Sequence, residues 1–273
     1  MGLTATPERA DGLAHIMNLY YGSMCYQYKD DGEETDILPV KVIRKTAGVY
    51  FNPLFQKVGS ASGRIVYKLL AMYAPKDVEM KEDYFRLSEI PYERRPNVAY
   101  QVIDSYVVTN PEYMELVCED IVSEYDEGHS CVVFFTQKEH CRLYYDLLKE
   151  SISESHLGLY YGDNSDNKSV LEKAEKTRKF VTLTTYAKAT EGTNVRQWEV
   201  EFLVSSINSE KNTEQAVGRI RRTKDGKINP VRVYDYRVPG VYSLSSHGAT
   251  RDRRYRQLGF VEKEKRSIFH RGY

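Results

Sequence analysis

Arg219 and Arg222 lie three residues apart at the end of the run Gln215-Ala-Val-Gly-Arg-Ile-Arg-Arg. On a helix that spacing puts both guanidiniums on one face, and Gly218 leaves room for a neighbouring surface. Guanidiniums keep their charge when dehydrated and offer paired donors to phosphate oxygens, so the pattern suits a terminal phosphate. The plainer alternative is a solvated basic helix end that complements the helix dipole. The chain has no G-x-x-x-x-G-K-[ST] sequence, so it lacks the backbone cradle and lysine that hold a nucleotide's phosphates. No Ser/His/Asp, Cys/His or paired-carboxylate arrangement stands at an interpretable spacing.

The run Gln215–Arg222 matches Q-x-x-G-R-x-x-R and so resembles motif VI of superfamily 2 helicases. The resemblance implies that Arg222 is an arginine finger, a role worth roughly 10³ to 10⁵ in rate in nucleotide hydrolases. Arg219 would be its phosphate-contacting neighbour and Gln215 a nucleotide contact. Upstream, Thr184-Thr185-Tyr186-Ala187-Lys188-Ala189-Thr190-Glu191-Gly192-Thr193-Asn194 resembles motif V. That implies a nucleic-acid phosphate contact by Thr184 or Thr185, with Glu191, Gly192 and Asn194 turned toward the nucleotide. Gly192 permits the tight turn, and Asn194, where many relatives carry Asp, hydrogen-bonds a ribose hydroxyl without charge. By themselves Thr184 and Thr185 also read as a strand end of β-favouring residues.

Thr136 and Lys138, after the apolar run Cys131–Phe135, resemble motif IV, where a hydroxyl and a cation hold strand phosphates without reading bases. An ordinary buried strand and exposed loop is the alternative. Gly2-Leu-Thr-Ala-Thr-Pro-Glu-Arg-Ala-Asp-Gly12 resembles motif III and its extension in phage UvsW-type and XPB-like helicases. This makes Thr4 and Thr6 coupling residues at the end of a first RecA-like domain. No D-E-A-D box occurs, and the letters D-E-x-H occur once, at Asp126-Glu127-Gly128-His129, where the helix begun at Asn110 ends and not after a strand, so no box supplies the magnesium ligand and water-orienting carboxylate. The resemblance therefore implies the carboxy-terminal half of an ATP-dependent helicase, inactive without an amino-terminal RecA-like partner. ATP and Mg²⁺ would be shared with that partner, and single-stranded or branched nucleic acid, DNA favoured, would be the track. The alternative is a stand-alone nucleic-acid-binding or regulatory module that keeps the fold without catalysis.

These residues need a scaffold, and from about residue 110 strand and helix patterns alternate as parallel strands joined by helices do. Asn110-Pro111 starts a helix carrying Met114, Val117, Ile121 and Val122 and ending at Gly128. Strands are expected at Cys131–Phe135, Leu157–Tyr161, Phe180–Thr184, Glu199–Ser205 and Val231–Tyr236. Helices are expected on the His140–Leu148 stripe, Lys168–Thr177 and Thr213–Arg222. The expected fold class is α/β, a RecA-like three-layer sandwich with a mainly parallel sheet. Residues 1–20 would close a first RecA-like domain, and 21–109 form a linker or insertion and the lead-in to the second. That second domain would cover 110–240, followed by a basic helical tail, 241–273. Before residue 110, 38–44 read as a strand, Arg64–Tyr73 as a helix, and Lys76–Asn97 as a polar insertion. In the tail, Arg251, Arg253, Arg254 and Arg256 suit a phosphate backbone or a solvated helix face. Tyr255, Phe260 and Phe269 suit docking or base stacking.

The 273 residues allow one large domain or a domain with an appendage, too little for a whole two-domain motor. The 39 basic and 39 acidic side chains cancel, so any nucleic-acid surface must come from local clustering. The four cysteines form no C-x-x-C pair, which argues against a disulfide framework or cysteine zinc site, and no metal is assigned to the chain itself. No membrane-length apolar run or signal-like amino terminus occurs, so the expected compartment is the cytoplasm, the host's if the chain is phage-encoded.

Overall fold

The computed structural model describes residues 37–47, 56–57, 84–85, 103–162, 164–189, 193–239 and 242–260. Thr4, Thr6, Glu191, Gly192, the helix expected over 64–73, most of 76–97 and the tail beyond 260 lie outside these residues. The chain divides into Met1–Ile37 and Leu38–Tyr273, and the sheet belongs to the second unit.

Six parallel strands form that sheet: β1 (Val40–Thr46), β4 (Cys131–Phe135), β5 (Leu157–Tyr160), β6 (Val181–Thr185), β7 (Val200–Leu203) and β8 (Val231–Arg237). Their order is β1-β8-β7-β4-β6-β5. The short strands β2 (Gln56–Lys57) and β3 (Tyr84–Phe85) pair antiparallel in a separate ribbon. β1 lies within the 21–109 stretch and adds an edge strand beside β8.

Helices cover both faces, as strands buried on both sides require. Along β4, Cys131, Val133 and Phe135 face one core with Tyr113, Val117 and Ile121 of α1 (Pro111–Asp126) and Cys141, Tyr144 and Leu148 of α2 (Lys138–Leu148). Val132 and Phe134 face the other core, with α3 (Asn167–Lys176), the short α4 (Tyr186–Ala189), α5 (Glu210–Ile220) and α6 (Tyr242–Gln257). The expected alternation is therefore present, with element ends differing by one to three residues.

The starts follow from their caps. Asn110 Oδ1 accepts from the Tyr113 amide at 3.2 Å and Pro111 takes the first turn. α5 begins at Glu210, three residues ahead of the expected start, because Ser209 caps it by accepting from the Asn212 amide at 3.1 Å. Gly158 lets α3 press close to β5: a Cβ there would lie 2.6 Å from Val170 Cγ1.

Candidate functional site

α5 runs from the carboxyl ends of the strands back toward their amino ends, so its two termini serve different surroundings. Its last residues lie at the amino edge of the sheet, where the Arg221 carbonyl accepts from the Leu38 amide at 2.7 Å, just before β1. There Arg219 Nη1 donates to the Thr193 carbonyl and Arg222 Nη1 donates to Asn194 Oδ1. The two arginines expected to act together thus meet the end of the Thr184–Asn194 segment, although 26 and 28 residues separate the partners in sequence. Both are partly exposed. Burial and the adjacent Arg222 charge lower the Arg219 pKa from its usual value. Gln215 is also partly exposed, one turn earlier on the same helix.

Beneath this helix lies Glu201 of β7, fully buried, with neither carboxylate oxygen hydrogen-bonded among the described residues. Burial drives its pKa well above the usual carboxylate range, against the pull of the Arg219 charge.

The motif IV and V hydroxyls sit at the opposite, carboxyl edge. Thr136 follows β4 and donates its hydroxyl to Asp104 Oδ2 at 2.7 Å. Lys138 is half-buried in the first turn of α2, whose preceding residue, Gln137, makes no side-chain cap. Of the two threonines left open by the sequence, Thr184 is wholly buried, its hydroxyl donating to the Thr185 carbonyl at 3.4 Å. Thr185 closes β6, and its Oγ1 accepts from the Lys188 amide at 3.4 Å. The structure thus separates the arginine pair from these strand-end residues.

On α6, Arg251 differs from both surface roles weighed for the tail arginines, while Arg253 and Arg256 are exposed. Arg251 is 1% exposed and its guanidinium donates to Asp235 on β8 at 2.8 and 3.1 Å. Burial alone would raise the Asp235 pKa, but the charge and hydrogen bonds of Arg251, helped by Arg237, hold it below the ordinary range. Arg253 and Arg254 pair with Glu210 and Glu214 of α5, and Tyr255 is fully buried. The helix docks on the domain, which leaves these groups engaged. The sequence signal was Asp235 itself, an acid set between two tyrosines in the interior of a strand.

One His/acid cluster stands among the described residues: Glu124, Glu127 and His129, near the amino ends of the strands. Arg232 already supplies its cation, with Nη1 2.8 Å from both Glu124 oxygens and 3.0 Å from Glu127 Oε2. Tyr234 and His129 also bond Glu124. This donor set is satisfied from within and does not fit a nucleotide's magnesium ion.

No protein-family profile and no curated protein matches the chain. Among solved structures it is similar to T4 UvsW, with a TM-score of 0.50 and 13% identity over 82% of this chain and 40% of that chain. It is also similar to a fragment described as an HsdR subunit of a type I restriction enzyme from Vibrio vulnificus YJ016. There the TM-score is 0.52 and the identity 17%, over 90% of this chain and 40% of that chain. The chain thus spans two fifths of either protein. What is shared is the fold, a RecA-like α/β sandwich with a parallel sheet. Among the described residues no helix is long and apolar enough to cross a membrane.

Proposed function

We propose that the chain supplies the second RecA-like half of an ATP-dependent superfamily 2 nucleic-acid motor. The observation that carries this reading is the meeting of Arg219 and Arg222 with Thr193 and Asn194. Two sequence motifs with nucleotide-facing roles converge on one partly exposed corner. An amino-terminal RecA-like domain would bring the phosphate-binding loop and the acidic pair, including the magnesium ligands that this donor set does not provide. ATP would lie between the halves.

In the closed state Arg222 would leave Asn194 and donate to the terminal phosphate, stabilising charge that develops on its oxygens during transfer. Arg219 would hold the neighbouring phosphate oxygens. Asn194, released from Arg222, would offer its amide to the ribose, and Gln215 would line the same side. The carboxyl edge would follow the track: Thr136, Lys138 and Thr185 suit a phosphodiester backbone. Such contacts do not depend on base identity. The preference for DNA rests on the UvsW-like start of the sequence.

The test is single-strand-stimulated ATP hydrolysis by the chain alone, by the chain joined to the RecA-like segment encoded immediately upstream, and by the joined form carrying Arg222→Ala. Hydrolysis in the intact joined form alone supports the reading. An inactive joined form whose second half still binds single strands favours a binding module, and hydrolysis by the isolated chain overturns the composite site.

A further inference from the structure

β4 and β7 are neighbours in the sheet, yet the chain leaves β4 for α2 on one face and β7 for α5 on the other. Parallel sheets open a crevice at the carboxyl ends of strands where the connections diverge in this way. Here Asp104, from the short helix over residues 103–108, reaches that point and is 3% exposed. Its Oδ2 accepts from the Thr136 hydroxyl at 2.7 Å, after β4, and its Oδ1 accepts from the Ser206 amide at 2.9 Å, after β7. Thr136 Oγ1 and Ser205 Oγ are 3.3 Å apart.

The far side of the Ser206 loop is also held. Arg251 Nη1 donates to Ser206 Oγ at 3.2 Å and to the Ile207 carbonyl at 3.1 Å, and His247 Nδ1 is 3.2 Å from Ser206 Oγ. The Tyr113 hydroxyl donates to the Val204 carbonyl at 2.7 Å. Ser209 then caps α5, whose other end carries Arg219 and Arg222.

We propose that Asp104 is a positioning residue that couples the strand-end loop at Thr136 to the arginine corner. It makes Thr136 and Ser206 one hydrogen-bonded unit, so a displacement of the Thr136 loop moves the start of α5. An 11-residue helix carries that movement rigidly over about 16 Å to the arginines. The functional sense of the coupling, track occupancy reported to the nucleotide side, rests on the motor reading; the mechanical coupling does not.

The coupling is read by hydrogen exchange on the full 273-residue chain. Thr136→Val is expected to speed exchange over residues 205–213 as well as in its own loop, by roughly tenfold for a lost charge-assisted bond. Asp104→Ala does the same, and adding Thr136→Val to it changes 205–213 no further. Asp104→Asn restores wild-type exchange, because its carbonyl accepts from Ser206 and its amide donates to Thr136.

The pH profile gives a readout that packing alone would not move. Burial raises the Asp104 carboxyl from 3.8 to about 6, against its hydrogen bonds and the Arg251 charge. A raised carboxyl favours the closed segment at low pH, and that contribution is lost as pH rises from 3.8 through about 6. Opening of 205–213 therefore becomes easier over that window in wild type and stays flat in Asp104→Asn. Among the described residues, the other ionisable groups facing this network are Arg251 and Asp235, paired with each other, together with His247, Tyr113, Tyr144 and Tyr186. Of these, His247 has its pKa lowered by burial from 6.5, and His247→Gln should leave the Asp104 step in place.

The proposal is overturned if Thr136→Val leaves residues 205–213 at the wild-type rate, or if its effect adds fully to that of Asp104→Ala. Should Asp104→Ala fail to fold, Thr136→Val and the pH arm decide. Oligothymidylate then separates the two readings. Protection gained at 136–142 and 205–220 together supports both, and protection gained at 136–142 alone overturns the coupling. No protection at either, with the variant pattern intact, leaves the coupling standing and removes the motor reading.

Discussion

At the carboxyl end of α5, Arg219 and Arg222 are partly exposed, and each is hydrogen-bonded to one acceptor from Thr193–Asn194. Around its amino end two buried groups, Asp104 and Arg251, are tied several times over. Asp104 holds two loops, Arg251 bonds Asp235, Ser206 and Ile207, and Arg254 pairs with Glu214. The difference fits two kinds of work. A group that must turn to a ligand cannot be held by a buried network, since leaving one costs several kcal/mol, whereas a partly exposed bond exchanges with water for about 1 kcal/mol. One helix thus has an anchored end and a releasable end.

Arg222→Ala tests the releasable end and carries the largest expected effect. Hydrolysis by the joined motor should fall by roughly 10³-fold or more. The unfolding free energy should stay within about 1 kcal/mol, as for surface substitutions generally. A drop in stability comparable with the loss of rate would erase the contrast between the two ends.

The anchored end should respond in the opposite way. Arg251→Ala leaves Asp235 buried without its principal counter-charge, and removing one partner of such a pair costs about 3 to 5 kcal/mol. Urea denaturation of the chain should show that loss. An unchanged midpoint would mean that Arg237, 2.6 Å from Asp235, suffices on its own.

How far each region was legible in the sequence follows from the range of its contacts. The strand and helix series could be read because periodicity and caps are local: Asn110-Pro111 and the all-apolar β4 each act within a few residues. The arginine corner was half legible. Spacing placed Arg219 and Arg222 on one face and the motif resemblance turned Asn194 toward the same nucleotide, while the contacts of the arginines with Thr193 and Asn194 came only with the structure. The crevice was not legible. Asp104 is one acid among many in the lead-in before residue 110, and its partners lie 32 and 102 residues away. Arg251 read as part of a basic tail because charge counting cannot tell a solvated arginine from one docked against Asp235.

His140 and Glu201 extend the comparison to pH. His140, in the first turn of α2, is fully buried with neither ring nitrogen hydrogen-bonded among the described residues, and burial pushes its pKa from 6.5 down to about 4. A base held neutral in the folded state contributes stability above its unfolded value and loses it as pH falls from 6.5 through about 4. His140→Leu should therefore flatten the acid limb of the stability profile by on the order of 3 kcal/mol. An acid limb as steep as wild type would assign that limb to other groups.

Glu201 should act on the opposite limb and more weakly at its site beneath the arginine helix. Its carboxyl is raised well above 4.5 by burial, so the protonated form is favoured in the fold. That contribution is full below 4.5 and is lost as pH rises through the folded-state value. Even when neutral, the side chain leaves both oxygens without hydrogen bonds, a burden of about 1 to 3 kcal/mol. Glu201→Met, similar in volume and wholly apolar, should raise the unfolding free energy by about that amount near neutral pH. The gain should shrink as the solution is acidified. If Glu201→Met instead destabilises the chain at every pH, the carboxyl is holding α5 in place by its attraction for Arg219. The releasable end would then be tethered from below as well as from Thr193 and Asn194.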